Sequence, residues 1–142
     1  MIARSLIPRL ADIIEAIERI NVILADVSLD AFENDWQRQW LVERGVEIIS
    51  EASRHLPDDL KSRNPEIPWQ KVAGIGNVLR HNYESIAAPV LWKLVQADLP
   101  ALEKACRSEL VAEERRADLR QRNPPLKPPS WRITPTANLT AS

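Results

Sequence analysis

Prolines at 57, 65, 68, 89 and 100 cut this chain into segments, and the long segments carry the apolar spacing of an α-helix. Proline inside a helix removes a hydrogen bond and clashes with the preceding turn, so these positions bound helices or bend them. Residues 5 to 25 place Leu6, Leu10, Ile13, Ile14, Ile17, Ile20 and Leu24 three and four apart, one stripe along a first helix. Ser28, before Leu29 and Asp30, is positioned to cap a short turn through Phe32. A second helix is expected from Asp35 to Leu56, with Trp36, Trp40, Ile48, Ile49, Ala52 and Leu56 on a broad face and Gly45 at a close crossing. Pro68 opens a third, whose apolar members are Trp69, Val72, Ile75, Leu79 and Ile86. Pro89 opens a fourth through Leu91, Trp92, Val95, Leu99, Leu102 and Ala105, kinked at Pro100. No strand alternation and no internal repeat occurs. The expectation is an all-α, antiparallel four-helix bundle over residues 1–122, followed by a proline-rich, extended or disordered tail over 123–142.

Composition narrows the function classes. A net charge of -1 argues against a surface built as a whole to hold nucleic acid, although a local basic site is compatible with it. Charge is uneven: residues 107–142 hold seven Lys/Arg against four Asp/Glu, and residues 1–106 hold twelve against sixteen. The first twenty residues are interrupted by Arg4, Arg9, Asp12, Glu15, Glu18 and Arg19, so they form neither a signal nor a membrane span. One cysteine, Cys106, permits no internal disulfide, and together these features point to the cytoplasm. Two histidines and one cysteine make a His/Cys metal site improbable, and no cofactor is expected.

The chemistry-bearing residues gather in GIGNVLRHNY, residues 74 to 83, with two of the three glycines, one of the two histidines and the only tyrosine. On a helix Asn77 and His81 share a face one turn apart, with Gly76, Arg80 and Tyr83 on a neighbouring row. A lone helical histidine is more often a boundary residue than a catalyst. Gly74 and Gly76, however, weaken a helix without a turn to require them, and close approach of a backbone or a ligand would account for them.

IPWQKVAGIGNVLRHNY, with ERGVEIISEAS before it and LWKLVQADLPAL after it, resembles the HepT-type toxins of the HEPN superfamily over roughly residues 4–106. The family signature is an arginine, four residues, a histidine, one residue and a tyrosine. His81 and Tyr83 match the histidine and tyrosine, Asn77 matches the polar residue after the arginine, and the arginine itself falls on Gly76. The resemblance implies a homodimer whose signature residues line a shared cleft and cut an RNA substrate without metal. It also implies a minimal nucleotidyltransferase partner, the antitoxin, which adds AMP to Tyr83 and so blocks the cleft. His81 would be the general acid/base, with Asn77 and Arg80 as phosphate contacts.

Gly76 in the arginine position leaves two accounts open: Arg80 supplies the charge from one turn later, or the nuclease is weak or lost. The second account makes the chain a catalytically silent module that serves a nucleotidyltransferase as partner and AMP acceptor; a bundle used only for assembly is a third reading. His55 is expected to meet the C-terminal dipole of the second helix, and Cys106 to be a small core residue. The run EERRADLRQR reads as a solvated helical end, and Trp131 as the tail's one large apolar handle.

Overall fold

A computed structural model describes residues 5–81 and 87–127, excepting the side chains of Arg80 and His81. Tyr83, Ile86 and Trp131, all singled out above, lie outside the described residues. The elements are α1 (Ile7–Ile23), α2 (Leu29–Glu33), α3 (Trp36–Arg54), α4 (Asp58–Arg63), α5 (Trp69–His81), α6 (Ala88–Ala97) and α7 (Leu99–Arg122). All described regular structure is helical, and the four long segments of the bundle are α1, α3, α5 and the α6–α7 pair.

The first stripe packs as its spacing requires. Leu10, Ile13, Ile14, Ile17 and Ile20 of α1 are all buried, against Val42, Val46 and Ile49 of α3. Ser28 caps α2 through its hydroxyl, which accepts from the Ala31 N–H at 3.1 Å, and Asp35 caps α3 by accepting from the Arg38 N–H at 3.1 Å. Arg38 then reaches back to the end of α1, its Nε donating to the Ile23 carbonyl at 3.1 Å. That contact helps set α3 antiparallel to α1.

Three features differ from the expectation. Trp36 and Trp40 are 58% and 64% exposed and stack edge to face on each other, with ring centroids 4.9 Å apart. The inward face of α3 is instead Val42, Gly45, Val46, Ile49, Ala52 and Ser53, about half a turn away. This stripe of smaller residues lets α3 fit between two neighbours. The proline-bounded stretch after Leu56 also holds the short helix α4, whose Leu60 is buried. Asp58 and Asp59 begin it and Lys61 and Arg63 end it, a charge order that favours the helix dipole.

Pro100 does more than kink a helix. The backbone breaks at Asp98, and Pro100 occupies the first turn of α7, where its missing N–H costs nothing. Leu91, Leu94 and Val95 before the break, and Leu99, Leu102, Ala105 and Cys106 after it, still face the same core. Lys71 of α5 pairs with Asp98 at 2.7 Å and ties the break to the third helix. Trp92 lies half-buried with its ring centroid 5.6 Å from that of Phe32.

On α7, Glu109 is the one strongly buried charge of the core rim among the described residues. Its carboxylate accepts from Arg63 Nη2 at 2.9 Å and from Asn64 Nδ2 at 3.0 Å. Arg63, then Asn64, holds its carboxyl below the ordinary value of 4.5 against the opposing effect of burial. A depressed folded value means stability that is present above the ordinary carboxylate value and lost as pH falls through the folded one. Stability measured by denaturant unfolding should therefore decline on acidification below pH 4.5, and a Glu109→Gln variant should show a shallower decline there from a lower starting stability.

The glycines give a second test. At Gly45 an added Cβ would lie 2.9 Å from Ile20, so this glycine serves the α1–α3 crossing. Gly74 has open space, whereas at Gly76 the new atom would lie 2.7 Å from Ser50 Cβ and closer still to its Oγ. Thermal unfolding of Gly74→Ala should show a gain of about 1 kcal/mol from helix propensity alone. Gly76→Ala should lose about 1–3 kcal/mol through overpacking despite the same propensity gain.

Candidate functional site

The site is a stripe of α5 and the face of α3 beside it. Pro68 precedes α5, and Trp69 pins its first turn by donating from Nε1 to the Asn64 carbonyl at 3.0 Å. Val72 is buried, while Ile75 and Leu79 are half-buried against the core, which orients the helix and turns its other side outward. Asn77 is exposed on that outer side. The helix runs through His81, so its backbone carries Asn77 and His81 one turn apart, and Ala73 one turn before Asn77.

Gly76 does not share the outer side with Asn77. It is buried against α3, where its N–H donates to Ser50 Oγ at 3.2 Å and the Ser50 hydroxyl donates to the Ala73 carbonyl at 2.7 Å. The serine thus bridges two positions of α5 three residues apart, and it does so only because residue 76 has no side chain. Arg54, one turn further along α3, reaches the same carbonyl with Nε at 3.2 Å and Nη2 at 2.9 Å. These pairs run in opposite order along the two helices, so α3 and α5 are antiparallel.

Helix packing therefore explains Gly76, and Gly74 has no close neighbour at all. Of the four candidate residues, the structure places Asn77 in full and the backbone of Arg80 and His81, with Tyr83 outside the described residues. Ser50 and Arg54 were not attached to the site by sequence reasoning. The signal that points to them is Gly76 itself, since a mid-helix glycine marks where a neighbouring helix comes close, but spacing alone cannot say which helix that is.

Other candidates fall into structural roles. Burial, then Glu109, pushes the Cys106 thiol up to about 12, so at neutral pH it is a protonated core residue and no nucleophile. His55 follows the last residue of α3 and lies with Nε2 3.2 Å from Glu51 Oε1. The EERRADLRQR run forms the outer end of α7, with its arginines exposed. A 270 Å³ groove between α1 and α3, lined by residues such as Asp12, Arg19, Ile20, Leu41 and Arg44, includes no residue of α5. Among the described residues no cluster of His, Cys, Asp and Glu could hold a metal ion, and no helix is long and apolar enough to cross a membrane.

Comparison with known proteins identifies the family. The family model described as Ribonuclease HepT-like matches residues 13–109, the span from α1 into α7. A Thermococcus cleftensis protein named "Probable ribonuclease HepT" is 42% identical over 94 residues, covering 66% of this chain and 86% of its own length. A Methanocaldococcus jannaschii protein named "Putative RNase" is 35% identical over 95 residues, covering 67% of this chain and 87% of its own. No solved structure matches the chain.

Proposed function

The chain belongs to the ribonuclease HepT-like family, and from that premise we propose that it is a dimeric, metal-independent endoribonuclease in which His81 does the proton chemistry. The observation that carries the reading is the family match over residues 13–109, a span that includes the helix on which Asn77 and His81 stand one turn apart.

The chemistry follows from the residue types. RNA carries its own nucleophile, the 2′-hydroxyl. A base removes its proton, the oxygen attacks the adjacent phosphorus, the bond from phosphorus to the 5′-oxygen breaks, and an acid protonates the departing oxygen. The products are a 2′,3′-cyclic phosphate and a free 5′-hydroxyl. Imidazole titrates near neutrality and can serve as base in one form and acid in the other. One chain offers His81 once; a two-fold dimer offers it twice across a groove, one ring for each proton transfer. Asn77, exposed one turn earlier, is placed to hydrogen-bond a phosphate oxygen, and Arg80 is the neighbouring cation in sequence.

Tyr83 is the regulatory half of the proposal. A nucleotidyltransferase acting on its phenol would attach AMP two residues from the histidine, adding bulk and negative charge where an RNA phosphate must bind. The chain would then be the toxin of a toxin–antitoxin pair.

A second reading, a silent partner and AMP acceptor, is favoured by one observation: the α5 position that carries the family arginine is Gly76, and Ser50 fills the space its side chain would need. Restoring an arginine alone cannot test it, because Gly76→Arg meets Ser50 before it reaches the cleft.

Purified protein incubated with single-stranded RNA in excess EDTA should leave 2′,3′-cyclic phosphate ends, and His81→Ala should reduce the rate by about 10²-fold or more. If wild type leaves RNA intact while the Ser50→Gly/Gly76→Arg double variant cuts it, the silent reading stands instead. For the switch, incubation with a HepT-partner nucleotidyltransferase and ATP should add the mass of AMP to the wild type and not to Tyr83→Phe.

A further inference from the structure

Arg54 belongs to α3, yet its head group ends on α5. Both Nε and Nη2 donate to the Ala73 carbonyl, at 3.2 and 2.9 Å, beside the Ser50 hydroxyl at 2.7 Å. Ala73, Asn77 and His81 recur every four residues, so the guanidinium stands at the head of the stripe that carries the proposed chemistry. The residue is exposed, and no ion pair holds it among the described residues. Its remaining N–H groups, those of Nη1 and one of Nη2, take no protein acceptor among those residues.

Other α3 arginines are engaged differently. Arg38 caps against Asp35 and Ile23, and Arg44 pairs with Glu47 at 3.2 Å. Arg54 alone of these three is directed onto α5, with its fork held in place and no carboxylate partner among the described residues. A planar, always-charged group already fixed on one side by two hydrogen bonds loses little freedom when its other side meets an anion.

We propose that Arg54 is the phosphate-binding cation of the RNA cleft, reaching from α3 to the part of α5 where Gly76 offers no side chain, and that Asn77 shares its anion. This rests on the ribonuclease reading given above. Eight residues, about 12 Å along the helix, separate Ala73 from His81, so Arg54 grips a phosphate next to the one that is cut. It is therefore a positioning residue, expressed in RNA affinity and KM more than in kcat.

The full-length chain with Arg54→Gln, Arg54→Lys or the remote Arg19→Gln is compared with wild type on a fluorescein-labelled single-stranded RNA of mixed sequence. Cleavage is followed directly, and binding is measured across a salt series in a His81→Ala background that does not cut. Arg54→Gln should raise KM and weaken binding at least tenfold with kcat little changed. It should also flatten the dependence of log affinity on log salt by about 0.7 for each phosphate that the protein no longer neutralises. Arg54→Lys should recover the salt slope, and Arg19→Gln should match wild type. A role confined to packing against Ala73 predicts a lower unfolding temperature with the KM and the salt slope unchanged, and that result overturns the proposal while leaving the ribonuclease reading intact. Wild type that neither binds nor cuts the RNA overturns both.

Discussion

The helix α3 is approached closely from two sides, and each approach is made by removing a side chain. Toward α1, Gly45 lies where a methyl group would press on Ile20. Toward α5, Gly76 lies where a methyl group would press on Ser50. With both neighbours drawn in, Val42, Val46 and Ile49 are almost wholly enclosed, and the core closes around α3 as its central member. The remaining elements complete this arrangement: α2 and α6 bring Phe32 and Trp92 together at one end, and the Arg63–Glu109–Asn64 cluster joins α4 to α7 at the rim.

The same close contact shapes the stripe of α5 on which the proposed chemistry rests. A helix carrying a functional stripe has to be held at a fixed rotation, since a turn of some tens of degrees would move Asn77 from solvent into the core. Val72 fixes that rotation by burial, and Ser50 fixes it by hydrogen bonding to both Ala73 and Gly76. The consequence is that residue 76 contributes no side chain. The arginine that α3 directs to that part of α5 is Arg54, whose guanidinium ends on the Ala73 carbonyl.

Much of the fold was legible in the sequence because helical periodicity and proline are local signals. The α1 stripe, the Ser28 cap, the start of α5 after Pro68 and the buried Cys106 all follow from neighbours within a few residues. Which face of α3 turns inward was not legible. Trp36 and Trp40 are the bulkiest residues of α3 and lie outside the core, because a helix enclosed by two others has room for valine and isoleucine on its contact faces and none for indole. The short helix α4 escaped notice because six residues between prolines carry too few apolar positions to show a period. In the candidate site, the spacing of Asn77 and His81 was readable from one helix, while the contacts of Ser50 and Arg54 with that helix were not.

By itself the sequence determined the long helices, their order, the family and the spacing of Asn77 and His81 on α5, since each of these is written within one segment or in the identity of its residues. The tertiary structure alone decided which of two mid-helix glycines is a packing residue: Gly74 faces open space and Gly76 faces Ser50, although they stand two residues apart on one helix. It also brought Arg54 of α3 to the Ala73 carbonyl at the head of the stripe. Both depend on the rotation and depth at which α3 meets α5, quantities set by long-range packing of the whole core and absent from any local pattern.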